Sequence, residues 1–442
     1  MINYIYIIIY SLFILSIHFL SEPKIAYKGN QIAGFSMLLA ILINFINIPQ
    51  HHLYFALICL ISGALTGTIF ALKIKMQNLP QMIAILNGLG GLSTALIGFT
   101  EFNTINHHPF LILIIIILGY ITFSGSLASY IKLTHQKIPT DYKIIKIISI
   151  LIFITIIAGL FHPYKNDNYY VITIATLSLI FGFLFIFPIG GADMPIIISL
   201  LNSLSGCGTA LVGFSTNNTM LVITGTLIGS SGIILTYIMT KSMNRSLFKV
   251  ILKNSNTSLF NNDETSKHFN QGDPKDAAFL MENASKVIIV PGFGMASSNA
   301  QHELVALAEI LKNKYNVDVK FAIHPVAGRM PGHMNVLLAE ADANIENIFE
   351  LKDINQEFQT TDVVYIVGAN DITNPLSKTL KDSPIYQMPI LEVELAKKII
   401  FVKRSLSPGY AGIDNPLFYQ NKTIMILGDA KQITKQIITN LE

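Results

Sequence analysis

Apolar residues fill long, nearly unbroken runs through the first 250 positions. The runs fall at residues 3–20, 32–48, 53–72, 82–99, 109–131, 144–161, 169–188, 194–213 and 220–240. Each is close to the ~20 apolar residues that carry a helix across a bilayer. The pattern therefore predicts nine membrane helices, the eighth interrupted by Gly206 and Gly208. The first run has no basic residue ahead of it and no small-x-small cleavage site after Leu20, so it reads as a retained span rather than a signal peptide.

The texture changes past residue 250. Residues 254–277 are polar, rich in Asn, Ser and Asp, and without apolar period, which predicts a flexible linker over about 251–277. From 278 to 442, short β-branched runs at 287–290, 319–323, 363–367, 399–402 and 423–427 alternate with helical stretches. These runs are continuously apolar rather than alternating, the pattern of strands buried on both faces of a parallel sheet. The expected fold is a multi-span α-helical membrane domain (1–250) followed by an α/β Rossmann-like domain with a parallel sheet (278–442).

Composition agrees with this division. Of 442 residues, 51% are hydrophobic and only 13% charged, with mean hydropathy +0.52, whereas a soluble domain carries about a quarter charged. Residues 1–250 hold 12 Lys and Arg and 5 Asp and Glu; the last 192 hold 18 and 22. A purely soluble enzyme is excluded, and the overall charge of +3 is a sum of two opposite halves. No basic patch interleaved with aromatics points to nucleic acid. Cys59 and Cys207 both lie in apolar stretches, which offers neither a disulfide framework nor a metal-ligand cluster.

With nine spans, the loops on one side carry Lys24, Lys28, Lys73, Lys75, Lys132, Lys137, Lys143, Lys146, Lys241, Arg245 and Lys249, and the other side only Lys165. Basic short loops stay in the cytoplasm. The expected orientation puts the N-terminus outside and the C-terminal domain in the cytoplasm, in a bacterial-type inner membrane.

Candidate chemistry concentrates at strand ends. The run 287–290 leads into Gly292, Phe293, Gly294, Met295 and Ala296, and a helix-compatible stretch follows from Ala300 to Leu311. A glycine turn between strand and helix lets backbone N–H groups approach a pyrophosphate, although Ser297 stands at the fingerprint's third position and a plain structural turn has the same pattern. A ribose 2′-OH calls for an acid at the end of the second strand. That strand runs instead into His324, Val326, Ala327, Gly328 and Arg329, with no carboxylate, which favours NADP over NAD. Lys403, Arg404 and Ser405 follow the fourth run and supply the charge-assisted donors a 2′-phosphate needs. Gly368, Ala369, Asn370 and Asp371 after the third run, and Gly409, Tyr410 and Ala411 beyond the basic pair, form two specialised loops suited to closing over a ligand. Asp371 is equally placed to cap a helix.

Within the apolar runs, Asn87, Ser126 and Asn202 stand out, with Asp193 at a run's edge. Polar groups in hydrocarbon cost several kcal/mol unless they are paired or face water. The glycines at 88–91 and 225–232 read as close helix packing. No TVGYG-like selectivity filter occurs.

PGFGMASSNAQ, HPVAGRMPGHMNVLLAEA, VGANDITNP, FVKRSLSPGYAGIDNPLF and LGDAK, together with GGADMPIIISLLNSLSG, TGTLIGSSG and MNRS, resemble the beta subunit of proton-translocating nicotinamide nucleotide transhydrogenases over essentially the whole chain. The resemblance implies that the C-terminal domain binds NADP(H), that the membrane helices conduct protons, and that a partner alpha subunit, whole or split in two, binds NAD(H). A dimer of the complete complex is the family's arrangement. By matching motifs, Gly292 and Gly294 would form the pyrophosphate turn, Arg329 would lie beside the phosphates, and Lys403 and Arg404 would hold the 2′-phosphate. Tyr410 would cover the site, Gly428, Asp429 and Ala430 belong to its LGDAK segment, and Asp371 would lie near the nicotinamide and couple occupancy to protonation. Ser126 and Asn202 match positions of the proton path, and Asp193 sits in the GGAD loop. Asn87 stands where some members carry a relay histidine; either the partner supplies that histidine or water between amides serves. The alternative class is a transporter or channel gated by a nucleotide-sensing domain.

Overall fold

A computed structural model describes residues 2–20, 25–46, 48–75, 78–102, 109–134, 142–161, 167–190, 193–242, 246–252, 268–330, 332–381, 383, 385–409 and 411–442. Among these residues the N-terminal part forms α1 (Ile2–Leu20), α2 (Ala26–Ile46), α3 (Gln50–Lys73), α4 (Leu79–Phe102), α5 (Pro109–Thr134), α6 (Tyr142–Leu160), α7 (Asn168–Ile186), α8 (Met194–Ser215) and α9 (Thr219–Ser242). Seven of them, α2–α5 and α7–α9, are long and apolar enough to cross a membrane; α1 and α6 carry shorter apolar stretches, Ile5–Leu20 and Ile144–Leu160.

The outward faces of these helices are Leu, Ile and Phe, and α3 buries no residue at all. Apolar surface of that extent is stable only against lipid or further apolar helices. Inside, small residues set the spacing. A Cβ on Gly206 would lie 2.7 Å from the Gly229 Cα, so α8 and α9 touch backbone to backbone. The glycines that break the apolar pattern of the eighth run thus leave α8 continuous and serve its packing. Ser199 Oγ ties the same pair by donating to the Gly232 carbonyl at 3.1 Å.

A short α10 (Leu247–Leu252) follows, and the C-terminal domain is built on β1 (Lys286–Pro291), β2 (Asp318–Ile323), β3 (Ile348–Glu350), β4 (Val363–Val367), β5 (Lys398–Lys403) and β6 (Thr423–Leu427). All pair in parallel in the order β3-β2-β1-β4-β5-β6. That is the doubly wound order, in which the chain reverses direction across the sheet between β1 and β4. The strands predicted from apolar runs are all present. β3 is an addition: Ile348 and Phe349 are only half-buried and Glu350 is exposed, and it leaves no apolar run in the sequence. The helices are α11 (Pro274–Glu282), α12 (Phe293–Ser298), α13 (Gln301–Tyr315), α14 (His333–Glu340), α15 (Leu351–Ile354), α16 (Leu376–Thr379) and α17 (Ala430–Leu441). Val287–Val290, Tyr365, Ile366, Phe401 and Phe418 lie fully buried in the core between the layers.

The packed domain takes in residues that the sequence pattern assigns to the linker. Gln271 bridges to Met425, Gly272 N–H donates to the Met425 carbonyl at 3.1 Å, and Met425 N–H donates to Asn270 at 2.8 Å. Asp273 then caps α11 in a reciprocal box with Asp276, with Pro274 in the first turn. Edge pairing uses backbone groups and capping uses polar side chains, so a segment rich in Asn, Asp and Gly satisfies both while having the composition of a linker.

Candidate functional site

The site begins where β1 and β4 end side by side. Gly292 N–H donates to the Val367 carbonyl and Gly294 N–H to the Gly368 carbonyl, each at 2.9 Å. Gly368 has φ +62, and a Cβ on it would meet the Gly294 nitrogen at 2.6 Å; a Cβ on Gly292 would meet the Ala369 Cα at 2.6 Å. Three glycines therefore permit contact between two strand-end backbones, a requirement beyond that of a plain turn. The predicted helix is α13, starting at Gln301; a short α12 precedes it from Phe293, and Asn299, left-handed at φ 55, separates the two.

A cavity of about 630 Å³ opens over this switch point. The structure gathers most of the sequence-predicted binding residues on its wall: Gly292, Phe293 and Gly294; Val326, Ala327, Gly328 and Arg329; Gly368, Ala369, Asn370 and Asp371; Lys403, Arg404 and Ser405; Gly409 and Ala411; Gly428 and Ala430. Met295 and Ala296 do not line it; they are buried in the core beneath the turn. Tyr410 lies outside the described residues.

Two loops are sewn together at the cavity rim. Asn415 Nδ2 donates to Asn370 Oδ1 at 3.1 Å, and Asn374 Nδ2 donates to the Asp414 carbonyl at 3.0 Å; Asn374 and Asn415 are fully buried. Asp371 opens a short 3₁₀ turn, and its Oδ2 accepts from Ala411 N–H at 2.9 Å. Its carboxylate thus reaches across to the loop after β5 instead of capping a helix. It also fills the space beside Gly409, where a Cβ would lie 2.6 Å from Oδ1.

Lys403 and Arg404 are successive at the end of a strand and so point to opposite faces. Lys403 turns inward: Nζ donates to the Ser407 carbonyl at 2.8 Å and stands 4.6 Å over the Phe418 ring. Burial pulls its pKa down to about 8, with the Asp371 and Asp414 carboxylates partly offsetting that shift. Arg404 turns outward and pairs with Asp429 at 2.9 Å. Asp429 is off the cavity wall, where it caps α17 by accepting from Lys431 N–H at 3.1 Å. Both cations stand across the switch point from β2.

The loop after β2 runs between two buried imidazoles. His324 also lies off the wall. Its Nδ1 accepts from Val326 N–H at 3.2 Å, which puts the proton on Nε2, 2.7 Å from the Pro389 carbonyl. His333 Nδ1 accepts from Arg329 N–H at 3.1 Å. Burial holds both rings neutral, with pKa values lowered to about 4. Between them Arg329 stacks 4.2 Å over Phe293 and donates from Nη1 to the Leu133 carbonyl at 2.9 Å, the carboxyl end of α5.

Sequence reasoning missed the floor of the cavity. Pro195 of α8 and Met239 of α9 line it, and Val326 packs on the apolar cluster at the ends of α5, α8 and α9. Contacts between residues so distant in sequence leave no local signal. In the membrane part, Asn87 Nδ2 donates to Ser126 Oγ at 3.2 Å, joining two of the predicted polar positions across α4 and α5. Asn202 is half-buried on α8, which packs against both. Asp193 occupies the N-cap position of α8 yet makes no side-chain capping hydrogen bond.

The family described as "NAD(P) transhydrogenase beta subunit" matches residues 2–440. The chain belongs to this family. It is 43% identical to the NAD(P) transhydrogenase subunit beta of Rhodospirillum rubrum over 454 aligned positions, covering 98% of this chain and 97% of that protein. A second Rhodospirillum rubrum sequence of the same description gives the same figures. Family membership accounts for the pairing of membrane helices with a doubly wound domain in one chain, and makes the chain the beta subunit of an oxidoreductase with an alpha-subunit counterpart.

Proposed function

We propose that the cavity binds NADP(H) and that the chain works as the beta subunit of a proton-translocating transhydrogenase. The observation that carries this reading is the meeting of Gly292, Gly294 and Gly368 at a switch point faced by Lys403 and Arg404. The residues present fit the nucleotide. The glycine backbones leave room for a pyrophosphate, and the inward lysine sits where a 2′-phosphate would restore its lost solvation. Bound nicotinamide supplies hydride chemistry, and this chain's residues bind, orient and enclose it. Asp371, tied to the loop at 409–411, supports the position of that loop and is our candidate for linking nucleotide occupancy to protonation.

The wall lacks a triad or a carboxylate pair among the described residues, as expected when proximity and orientation are the chain's main contribution. NAD(H) would sit on the alpha subunit, in one chain or two, and the full complex would be a dimer. Asn87, Ser126, Asn202 and Asp193 are proposed proton-path groups. All nine helices would span a bacterial-type inner membrane, N-terminus outside, C-terminal domain in the cytoplasm, with protons moving inward during NADP reduction.

The test is reconstitution of the chain with its alpha subunit in vesicles. Reduction of an NADP analogue by NADH should require both subunits and acidify the vesicle side facing the C-terminal domain. Hydride transfer by the alpha subunit alone, or nucleotide-gated ion flux without redox turnover, would refute the reading.

A further inference from the structure

Arg329 belongs to two places at once. It lines the nucleotide cavity and stacks on Phe293, between the two glycines of the turn. It also reaches out of its own domain to the Leu133 carbonyl, one residue from the end of α5. The last four carbonyls of a helix have no partner within it, and a cation there is favoured by the helix dipole. Arg329 therefore restrains the last turn of α5 as a capping cation supplied by another domain. Its backbone lies between Gly328, left-handed at φ +96, and the buried His333, in a loop without regular structure.

We propose that Arg329 couples nucleotide occupancy to the last turn of α5: a pyrophosphate in the cavity draws the guanidinium off the neutral Leu133 carbonyl, and that turn loosens. This rests on the cavity being the NADP(H) site proposed above. The direction follows from charge, since a hydrogen bond to an ionised acceptor is roughly twice as strong as one to a neutral acceptor. Coupling of this kind is reciprocal, so the contact with α5 weakens nucleotide binding by the factor by which nucleotide weakens the contact. Arg329 is a positioning residue here, with no part in the chemical step.

Hydrogen exchange on the full chain in lipid nanodiscs tests this, with and without saturating NADP⁺. NADP⁺ should protect the amides of 292–298 and 368–371 and speed exchange at 131–134 by about tenfold or more, the effect of losing one hydrogen bond from a charged donor. In Arg329→Met, residues 131–134 should exchange at the fast rate already, with no response to NADP⁺. Arg329→Lys should restore part of the protection without nucleotide. Unchanged or slower exchange at 131–134 on binding, with the cavity segments protected, would overturn the coupling and leave Arg329 a fixed tether. If NADP⁺ protects neither cavity segment, the nucleotide site is wrong and the coupling falls with it.

Discussion

Replacing Lys403 by methionine removes a charge while keeping the length of an unbranched side chain, and it probes the coenzyme assignment at its most specific point. Burial lowers the lysine pKa from 10.5 to about 8, so holding the ammonium charged in the empty site costs about 3 kcal/mol more than in water, at about 1.4 kcal/mol per pKa unit. A 2′-phosphate offsets that cost and adds a charge-assisted hydrogen bond of roughly 1.5–3 kcal/mol. Lys403→Met should therefore weaken NADPH at least about tenfold, and leave NADH, which has no 2′-phosphate, nearly unchanged. The pH dependence provides an independent readout. The protonated lysine is the binding form, so wild-type affinity for NADPH is highest below pH 8 and falls as pH rises through about 8, by up to tenfold per unit. The methionine variant should be flat in that window. Isothermal titration of the purified full chain with both nucleotides from pH 6.5 to 9.5 measures all of this. Equal losses for NADPH and NADH, or a pH slope that survives in the variant, would refute the assignment.

Gly368→Ala places a Cβ at φ +62 against the Gly294 backbone. The left-handed strain of about 1–2 kcal/mol adds to overpacking of about 1–3 kcal/mol, so thermal unfolding of the C-terminal domain should drop by several degrees and NADPH binding should be lost. His324 and His333 are neutral in the fold down to about pH 4 but titrate near 6.5 when unfolded. The unfolded chain thus binds more protons between these values. The domain should be most stable above pH 6.5 and lose up to about 1.4 kcal/mol per pH unit for each ring as pH falls toward 4, as denaturant titrations at pH 7 and 5 would measure. For topology, with Cys59 and Cys207 replaced by serine, a cysteine at His52 should react with an impermeant maleimide in whole cells and one at Lys75 should not; the opposite pattern inverts the orientation.

The sequence by itself determined the elements whose physics is local. A membrane span must be apolar along its whole length, and a strand buried on both faces must be too, so both appear as runs that need no knowledge of the fold. The cations at the carboxyl end of the strand 398–403 and the glycine turn after 286–291 were legible for the same reason, because parallel strands deliver their carboxyl ends to one edge of the sheet. Tertiary structure decided what depended on neighbours distant in sequence. It showed that Gly368 matters as much as Gly292 and Gly294, because the constraint is the approach of two backbones, which no single segment encodes. It separated Lys403 from Arg404, since alternation along a strand gives adjacent residues opposite surroundings. It moved His324 and Asp429 off the cavity wall and into support, because the buried imidazole bridges its own loop to the Pro389 carbonyl and the carboxylate both caps α17 and pairs with Arg404. It claimed residues 270–277 for the domain through backbone pairing, which side-chain composition does not reveal. And it brought Pro195 and Met239 to the floor of the cavity and the carboxyl end of α5 to Arg329 on its wall, contacts set by how two separately legible domains pack together.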